Sequence, residues 1–212
     1  FPGLRVIRMD IDTTSQKGAH ERLLTAFAEG KAEVLLGTQM IAKGLDFPRV
    51  TLVGVMAADT LLHFPDFRAA ERTFQLLTQV SGRAGRHEKP GQVIIQTYAP
   101  EHYSIRMAAN YEVKQFYEQE LSLRKKHGYP PFCGLFTIMV SHPNRWQALK
   151  AAQAVVKSLQ CRDGGYQLLG PVPAMIPKMK DRYRWQILIK FPLMQSVIAP
   201  LTERLQTLQH VK

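Results

Sequence analysis

The chain contains 212 residues, with 28 Lys or Arg, 17 Asp or Glu and a formal net charge of +11. A composition of 45% hydrophobic and 21% charged residues excludes a disordered or collagen-like chain. No apolar run approaches the ~20 residues of a membrane span, and no secretory signal precedes the first predicted strand. Two cysteines, Cys133 and Cys161, are too few for a disulfide framework or a four-cysteine zinc site. We therefore expect a reduced, cytoplasmic protein.

The positive charge is concentrated near the end of the chain. Residues 1–98 carry a net charge of +2, residues 99–128 carry +1, and residues 129–212 carry +8. The stretch from Gly128 to Pro131 separates the last two parts, because consecutive prolines stop a helix. The sequence thus predicts a first domain over 1–98, a helical connector over 99–128 and a basic domain over 129–212.

In the first domain, short apolar runs alternate with segments of helical spacing. Strands are predicted at residues 4–9, 34–38, 50–56 and 93–97, and helices at 19–29 and 67–80, with Gly30 ending the first helix. This alternation indicates βαβ units and a parallel sheet, and the continuous apolar runs predict strands buried on both faces. Ligands of such sheets bind beyond the carboxyl ends of the strands.

Two segments occupy such positions. Residues 37–48 follow a predicted strand and bring a threonine, a glycine and a carboxylate together. In residues 79–86, Arg83 and Arg86 are three apart among glycines, and two guanidinium groups so close suit phosphate oxygens. The alternatives are an ordinary loop after a strand and a solvated basic end of a helix.

These residues carry a family resemblance. Residues 37–46 resemble motif V and residues 79–86 resemble motif VI of superfamily 2 helicases. The strings at 37–48, 66–72, 170–174 and 183–190 resemble more particularly the bacterial primosomal helicases that restart replication. The resemblance implies an ATP-driven 3′→5′ DNA helicase acting at stalled forks. It implies that residues 1–98 form the second RecA-like lobe and that the remainder is the carboxy-terminal DNA-binding part.

The resemblance also implies roles for individual residues. Those on the nucleotide side are Arg86 as arginine finger, Arg83 on the phosphates, Gln79 as nucleotide sensor, and Gly44 and Asp46 coupling nucleotide to DNA. Thr38 would contact a DNA phosphate. The implied partners are forked, single- and double-stranded DNA, the amino-terminal lobe, a single-stranded-DNA-binding protein and primosome loading proteins. The implied location is the bacterial cytoplasm near the nucleoid, and we expect a monomer.

Several groups that ATP hydrolysis requires have no candidate residues in this sequence. The only Gly-Lys pair, Gly30-Lys31, is followed by Ala32 and lacks the glycine that a phosphate-binding loop needs. Phosphoryl transfer needs a phosphate cradle, a metal and a positioned water besides an arginine finger. We therefore expect ATP and Mg²⁺ to bind mainly to a lobe preceding Phe1, and this segment to be inactive alone. Zinc is expected only in the parent protein, with no metal ligand in this segment.

The connector and the last domain read as an α+β arrangement. Residues 101–126 are predicted as one long helix, with Glu120 and Arg124 on its solvated side. The later elements are a strand at 132–141, a helix at 145–159 capped by Asn144, extended segments at 166–169 and 174–179, a strand at 183–191 and a helix at 193–208. Their order is β-α-β-β-α.

The predicted hairpin near the end of the chain is the candidate DNA contact. Alternation places Tyr183, Trp185, Ile187, Ile189 and Phe191 on one face of its second strand. The predicted phosphate contacts are Lys178, Lys180, Arg182, Arg184 and Lys190. The alternative is a solvated sheet face with Trp185 in the core.

Two other functions stay open. The chain could be a non-catalytic nucleic-acid-binding module on a degenerate RecA-like scaffold. It could also belong to another superfamily 2 translocase, since motifs V and VI are shared among these enzymes.

Overall fold

The computed structural model describes residues 2–10, 13, 18–37, 47–82, 91–160 and 165–209. The chain divides into two compact units, Phe1–Tyr117 and Glu118–Lys212. The sequence predicts two boundaries, near residues 98 and 128, whereas the structure shows a single division between them. The division into three parts stays a prediction.

The first unit contains two pairs of parallel strands. Strand β1 (Val6–Met9) pairs with β2 (Val34–Gly37), and β3 (Leu52–Val55) pairs with β4 (Gln92–Ile95). Helix α1 (Ala19–Ala28) joins the first pair, and its end is followed by Gly30 at φ +80°, the left-handed position that favours glycine. A 3₁₀ helix (Ala58–His63) and helix α2 (Ala69–Ser81) connect β3 to β4.

The prediction of strands buried on both faces is wrong for the described residues. Val55 and Ile95 pack against the core on one side of the β3–β4 pair, whereas Leu52 and Ile94 on the other side are more than half exposed. Leu36 of β2 is exposed to a similar degree. The apolar runs would suit a sheet covered on both sides, but this chain covers one side of the β3–β4 pair.

The core of the first unit forms around α2. Phe74 and Leu77, which lie on its buried face, pack against side chains of helix α3 (Tyr103–Ala109) and against Phe116. The rings of Phe74 and Phe116 stack with centroids 3.9 Å apart. Aromatic pairs add about 0.5–1.5 kcal/mol beyond the burial of their area, so this stack is a main support of α2.

The single long helix predicted over 101–126 is two helices. Helix α3 ends at Ala109, Tyr111 adopts φ +56°, and helix α4 (Val113–His127) begins two residues later. The prediction that Glu120 lies on the solvated side of the helix is also wrong, because Glu120 is buried. Its carboxylate accepts a hydrogen bond from Arg124 Nε at 2.8 Å. The buried stripe of α4 therefore combines Phe116 with this ion pair.

The second unit has the predicted β-α-β-β-α order. Its elements are β5 (Gly134–His142), α5 (Arg145–Leu159), β6 (Gln167–Met179), β7 (Arg182–Phe191) and α6 (Gln195–Gln209). The strands form an antiparallel sheet in the order β5-β7-β6. Leu159 of α5 and Leu201 of α6 pack on Ile189 and Phe191 of β7.

The start of α5 is confirmed at its predicted cap. The Asn144 side chain accepts hydrogen bonds from the backbone N–H groups of Trp146 at 2.9 Å and Gln147 at 3.2 Å. Such a cap satisfies donors that the first helical turn leaves without partners. None of the helices in the described ranges is long and apolar enough to cross a membrane.

Candidate functional site

Most of the predicted nucleotide-side residues, together with the predicted DNA contact Thr38, lie outside the described ranges. These are Thr38, Gly44, Asp46, Arg83 and Arg86. The structure does describe the elements that lead to them, because β2 ends at Gly37 and α2 ends at Ser81. Gln79 is exposed in the last turn of α2, where a ligand can reach its amide.

A charged network fixes the beginning of α2. Asp66 accepts hydrogen bonds from the backbone N–H of Arg68 at 2.9 Å and from its guanidinium at 3.0 Å. Arg72, one turn into the helix, forms a second ion pair with the same carboxylate at 3.0 Å. The Arg68 hydrogen bond is the main reason that the pKa of Asp66 is lowered. The string at 66–72 therefore orients the helix that carries Gln79.

Sequence reasoning missed a buried carboxylate beside this helix. Asp59 lies in the 3₁₀ helix after β3, and its Oδ1 accepts a hydrogen bond from the backbone N–H of Tyr98 at 3.0 Å. Hydrogen bonds from Thr97 and then Tyr98 lower the pKa of Asp59. The carboxylate thus ties the carboxyl ends of β3 and β4 together. Its position shortly after the strand predicted at residues 50–56 was the available signal.

The tip of the β6–β7 hairpin brings several of the predicted phosphate contacts together. Lys180 and Asp181 form the two-residue turn, and Met179 pairs with Arg182 across it. Lys178 Nζ lies 3.0 Å from the Asp181 carboxylate and 5.6 Å from the centre of the Tyr183 ring. The Asp181 hydrogen bond raises the pKa of Lys178, so this amine stays charged at neutral pH.

Two arginines extend the basic surface from the turn along β7. Arg182 donates hydrogen bonds to the carbonyl of Ser141 at 2.8 Å and to its hydroxyl at 3.2 Å. Arg184 pairs with Ser141 in the sheet register, and its guanidinium contacts the Met179 sulfur at 3.6 Å. These contacts hold both guanidinium groups on the outer face of the sheet, opposite the face that α5 and α6 cover. We call Lys178, Lys180, Arg182 and Arg184 the tip cations.

Lys190, the fifth predicted contact, is not near the tip. It lies eight positions further along β7, about 27 Å away at ~3.4 Å per residue. Its amine donates a hydrogen bond to the carbonyl of His127 at 3.0 Å and lies 3.6 Å from the centre of the Tyr129 ring. Lys190 therefore fastens the end of α4 to β7 by a hydrogen bond and a cation–π contact.

The same end of β7 lines an open cavity of about 480 Å³, whose walls include Phe132, Cys133 and Tyr166. Cys133 is half-buried, its thiol donates to the carbonyl of Gly128 at 3.0 Å, and burial raises its pKa. A protonated, hydrogen-bonded thiol is a poor nucleophile and a poor metal ligand. Cys161 lies outside the described residues, so the prediction for it stays open.

Comparison with protein families gives two matches that together span most of the chain. The family described as "Helicase conserved C-terminal domain" matches residues 3–88, and "Primosomal protein N C-terminal domain" matches residues 125–212. The first unit thus has an α/β fold of the kind found in helicases.

Curated relatives match over the whole length of the chain. The "Replication restart protein PriA" of Bacillus subtilis is 55% identical over 213 residues, which cover all of this chain and 26% of the relative. The protein of the same name from Synechocystis is 50% identical over 95% of this chain and 24% of its own length. That from Haemophilus influenzae is 39% identical over 96% of this chain. The chain belongs to the PriA family of replication restart proteins and spans about a quarter of the length of these relatives.

One solved structure, described as "Structure of the C-terminal domain of the DEAD-box protein Dbp5", aligns with 58% of this chain and 69% of its own. The alignment has a TM-score of 0.36 and 23% sequence identity, which is too low to support a fold assignment.

Proposed function

We propose that this chain is the part of an ATP-dependent 3′→5′ DNA helicase that completes the nucleotide site and holds DNA during replication restart. The observation that carries the proposal is the 55% identity with a replication restart protein over the whole chain. In this proposal residues 1–98 form the second RecA-like lobe. Arg86 is the arginine finger, Arg83 lies on the phosphates, Gln79 senses the nucleotide, and Gly44 and Asp46 couple nucleotide to DNA. ATP and Mg²⁺ bind mainly to the amino-terminal lobe, and zinc has no ligands in this segment.

The described part of the first unit supports this role through the way in which it anchors α2. Asp66 and its two arginines fix the start of the helix, and the Phe74–Phe116 stack fixes its middle. A finger residue must be held rigidly, because catalysis depends on the position of the charge that it supplies. In the sequence, Arg83 directly follows Gly82, the C-cap residue of this anchored helix.

The test of the nucleotide role is DNA-stimulated ATP hydrolysis by the whole protein. Arginine fingers contribute about 10³–10⁵ in rate, so Arg86→Ala should lower the rate by at least about a thousandfold. Arg22→Ala, which removes an exposed arginine from α1, is the matched control and should leave the rate unchanged. An Arg86→Ala rate equal to wild type would refute the assignment and favour a non-catalytic nucleic-acid module.

We assign DNA binding to the tip cations of the second unit. Four cations lie at or beside a two-residue turn that holds one acid, Asp181, and the 84 residues around them carry a net charge of +8. Guanidinium groups on an open sheet face suit phosphate oxygens. Lys190 is engaged at the other end of β7, so its contact with DNA stays a prediction.

The test of DNA binding is the dependence of affinity on salt. Each phosphate contact that is lost makes the slope of log affinity against log salt shallower by about 0.7–0.9. Replacing Lys178, Lys180 and Arg184 together by Ala should therefore make the slope shallower by about 2–3. The control replaces three exposed cations of α5 by Ala, namely Arg145, Lys150 and Lys157. Equal changes in the two triple variants would mean that the tip makes no specific phosphate contact.

Within the whole protein, we propose forked DNA as the substrate. A single-stranded-DNA-binding protein and primosome loading proteins are the proposed partners, alongside the amino-terminal lobe. The protein would act as a monomer in the bacterial cytoplasm.

A further inference from the structure

Strand β6 departs from its partner β7 beside the tip cations. Pro173 pairs with Trp185, and the next pair is Lys178 with Tyr183. Residues 174–177 of β6 therefore lie opposite a single residue of β7, Arg184. Such a bulge bends the strand and redirects its side chains, and bulges occur often beside functional sites.

The bulge presents apolar side chains to solvent. Ala174 is buried and anchors the bulge, whereas Met175 and Ile176 are 54% and 52% exposed. Met179, which contacts Arg184, is also strongly exposed. Single exposed apolar residues are common, whereas these adjacent ones form a small apolar patch on a hairpin whose charges are mostly basic.

The charge around this patch favours one class of partner. The four tip cations flank it, and Asp181 is the single acid of the hairpin. A polyanion is therefore attracted here, while an apolar protein surface without acids would leave the cations unmatched. The polyanion that also carries flat apolar surfaces is a nucleic acid whose bases are unstacked, and proteins insert Ile, Met and Pro against such bases.

We propose that Met175 and Ile176 contact unstacked bases at a strand end or at a junction of single- and double-stranded DNA, while the tip cations hold the adjoining phosphates. The inference rests on the proposed DNA contact of the hairpin and adds what the hairpin recognises. A continuous duplex covers its base faces by stacking, so it can satisfy only the cations. A fork satisfies both the cations and the apolar pair.

The experiment compares DNA binding by the 212-residue chain and by the variant Met175→Gln/Ile176→Thr. The first replacement keeps the side-chain length, the second keeps the branch at Cβ, and both make the side chain polar. The control is Leu193→Gln/Met194→Gln, which changes two apolar residues of 60% and 58% exposure at the opposite end of β7. Three labelled DNAs are used: a fork, a single strand and a long blunt duplex. The fork carries 2-aminopurine at its junction, whose fluorescence rises when the base is unstacked.

We expect the Met175→Gln/Ile176→Thr variant to bind the fork and the single strand about tenfold more weakly, which corresponds to about 1.4 kcal/mol. Its affinity for the duplex should change less than twofold, and its salt dependence should stay that of wild type. The wild-type chain should raise the 2-aminopurine signal, and the variant should not. The control variant should behave as wild type throughout.

The outcomes separate this inference from the proposed function. If the variant binds all three DNAs like wild type while loss of the tip cations weakens binding, the inference is wrong, the DNA contact stands and the apolar pair serves a protein partner. If loss of the tip cations has no effect either, the proposed DNA contact itself fails. An equal loss on duplex and fork would also overturn junction recognition. Should the variant fail to fold, the wild-type signal decides, because no rise at the junction contradicts the proposal.

Discussion

The buried ion pair of α4 gives the sharpest prediction about stability. The Glu120 and Arg124 side chains are 6% and 13% exposed, and Nε and Oε1 are 2.8 Å apart. Arg124 also approaches the carbonyl of Pro130, so it holds the end of the helix to the following turn. Removing one partner of a buried pair leaves a charge in a poorly solvated place, which costs about 3–5 kcal/mol. Replacing both partners by apolar residues of similar size is often neutral or stabilising.

We therefore expect Arg124→Leu to lower the free energy of unfolding of the second unit by about 3–5 kcal/mol. The double variant Glu120→Leu/Arg124→Leu should recover most of that loss. Urea unfolding followed by tryptophan fluorescence measures this unit alone, because both tryptophans, Trp146 and Trp185, lie in it. A double variant that loses as much as Glu120→Leu and Arg124→Leu lose when added together would show that the charges are not coupled. Asp181→Asn, at an exposed ion pair, should leave the urea midpoint unchanged.

Two further predictions concern a close contact and an acid-sensitive ion pair. A Cβ on Gly134 would lie 2.2 Å from the Phe191 ring, so Gly134→Ala should lower the free energy of unfolding measured in urea by about 1–3 kcal/mol. The control is Gly54→Ala, where a Cβ would meet nothing within 4 Å, and its thermal midpoint should change little. Arg5 hydrogen bonds lower the pKa of Glu33 from 4.5 to about 2. The ionised Glu33 therefore stabilises the folded state fully above about pH 4.5, and this stabilisation is lost as the pH falls through 2. The difference in thermal midpoint between wild type and Glu33→Gln should shrink over that interval. A difference that is constant with pH would contradict the ion pair.

Local signals predicted the second unit well. The Asn144 cap and the absence of breakers within the following helix led to the bounds that α5 has. Alternation along β7 placed Ile187 and Ile189 on the buried face. Both signals act within a few residues, so the sequence contains all the information that they need.

Features that depend on tertiary contacts were not predictable in this way. Neither glycine nor proline marks the break after α3, where Tyr111 adopts a left-handed conformation. Prolines made β6 look like two segments, yet an edge strand tolerates them because its outer backbone groups need no partner. The burial of Glu120 depends on tertiary packing, which periodicity along one helix does not report.

The candidate site was predicted by residue type better than by position. The tip cations gather as expected, because a hairpin brings neighbouring residues together. Lys190 shares their charge and their strand face, but the strand carries it to the opposite end, where it binds His127. Counting cations along a sequence does not reveal which of them are already engaged within the fold.

The turn residues of the hairpin lower stability but supply a cation for binding. Lys180 and Asp181 both adopt left-handed backbone conformations, at φ +49° and +56°, which Asn-Gly adopts more readily. A left-handed conformation costs an ordinary L-residue about 1–2 kcal/mol. Replacing Lys180 by Asn, which tolerates the left-handed conformation better, should therefore raise the melting temperature while it removes a cation from the tip. Selection for thermal stability alone would favour that change, and it would yield a sturdier protein that holds DNA less well.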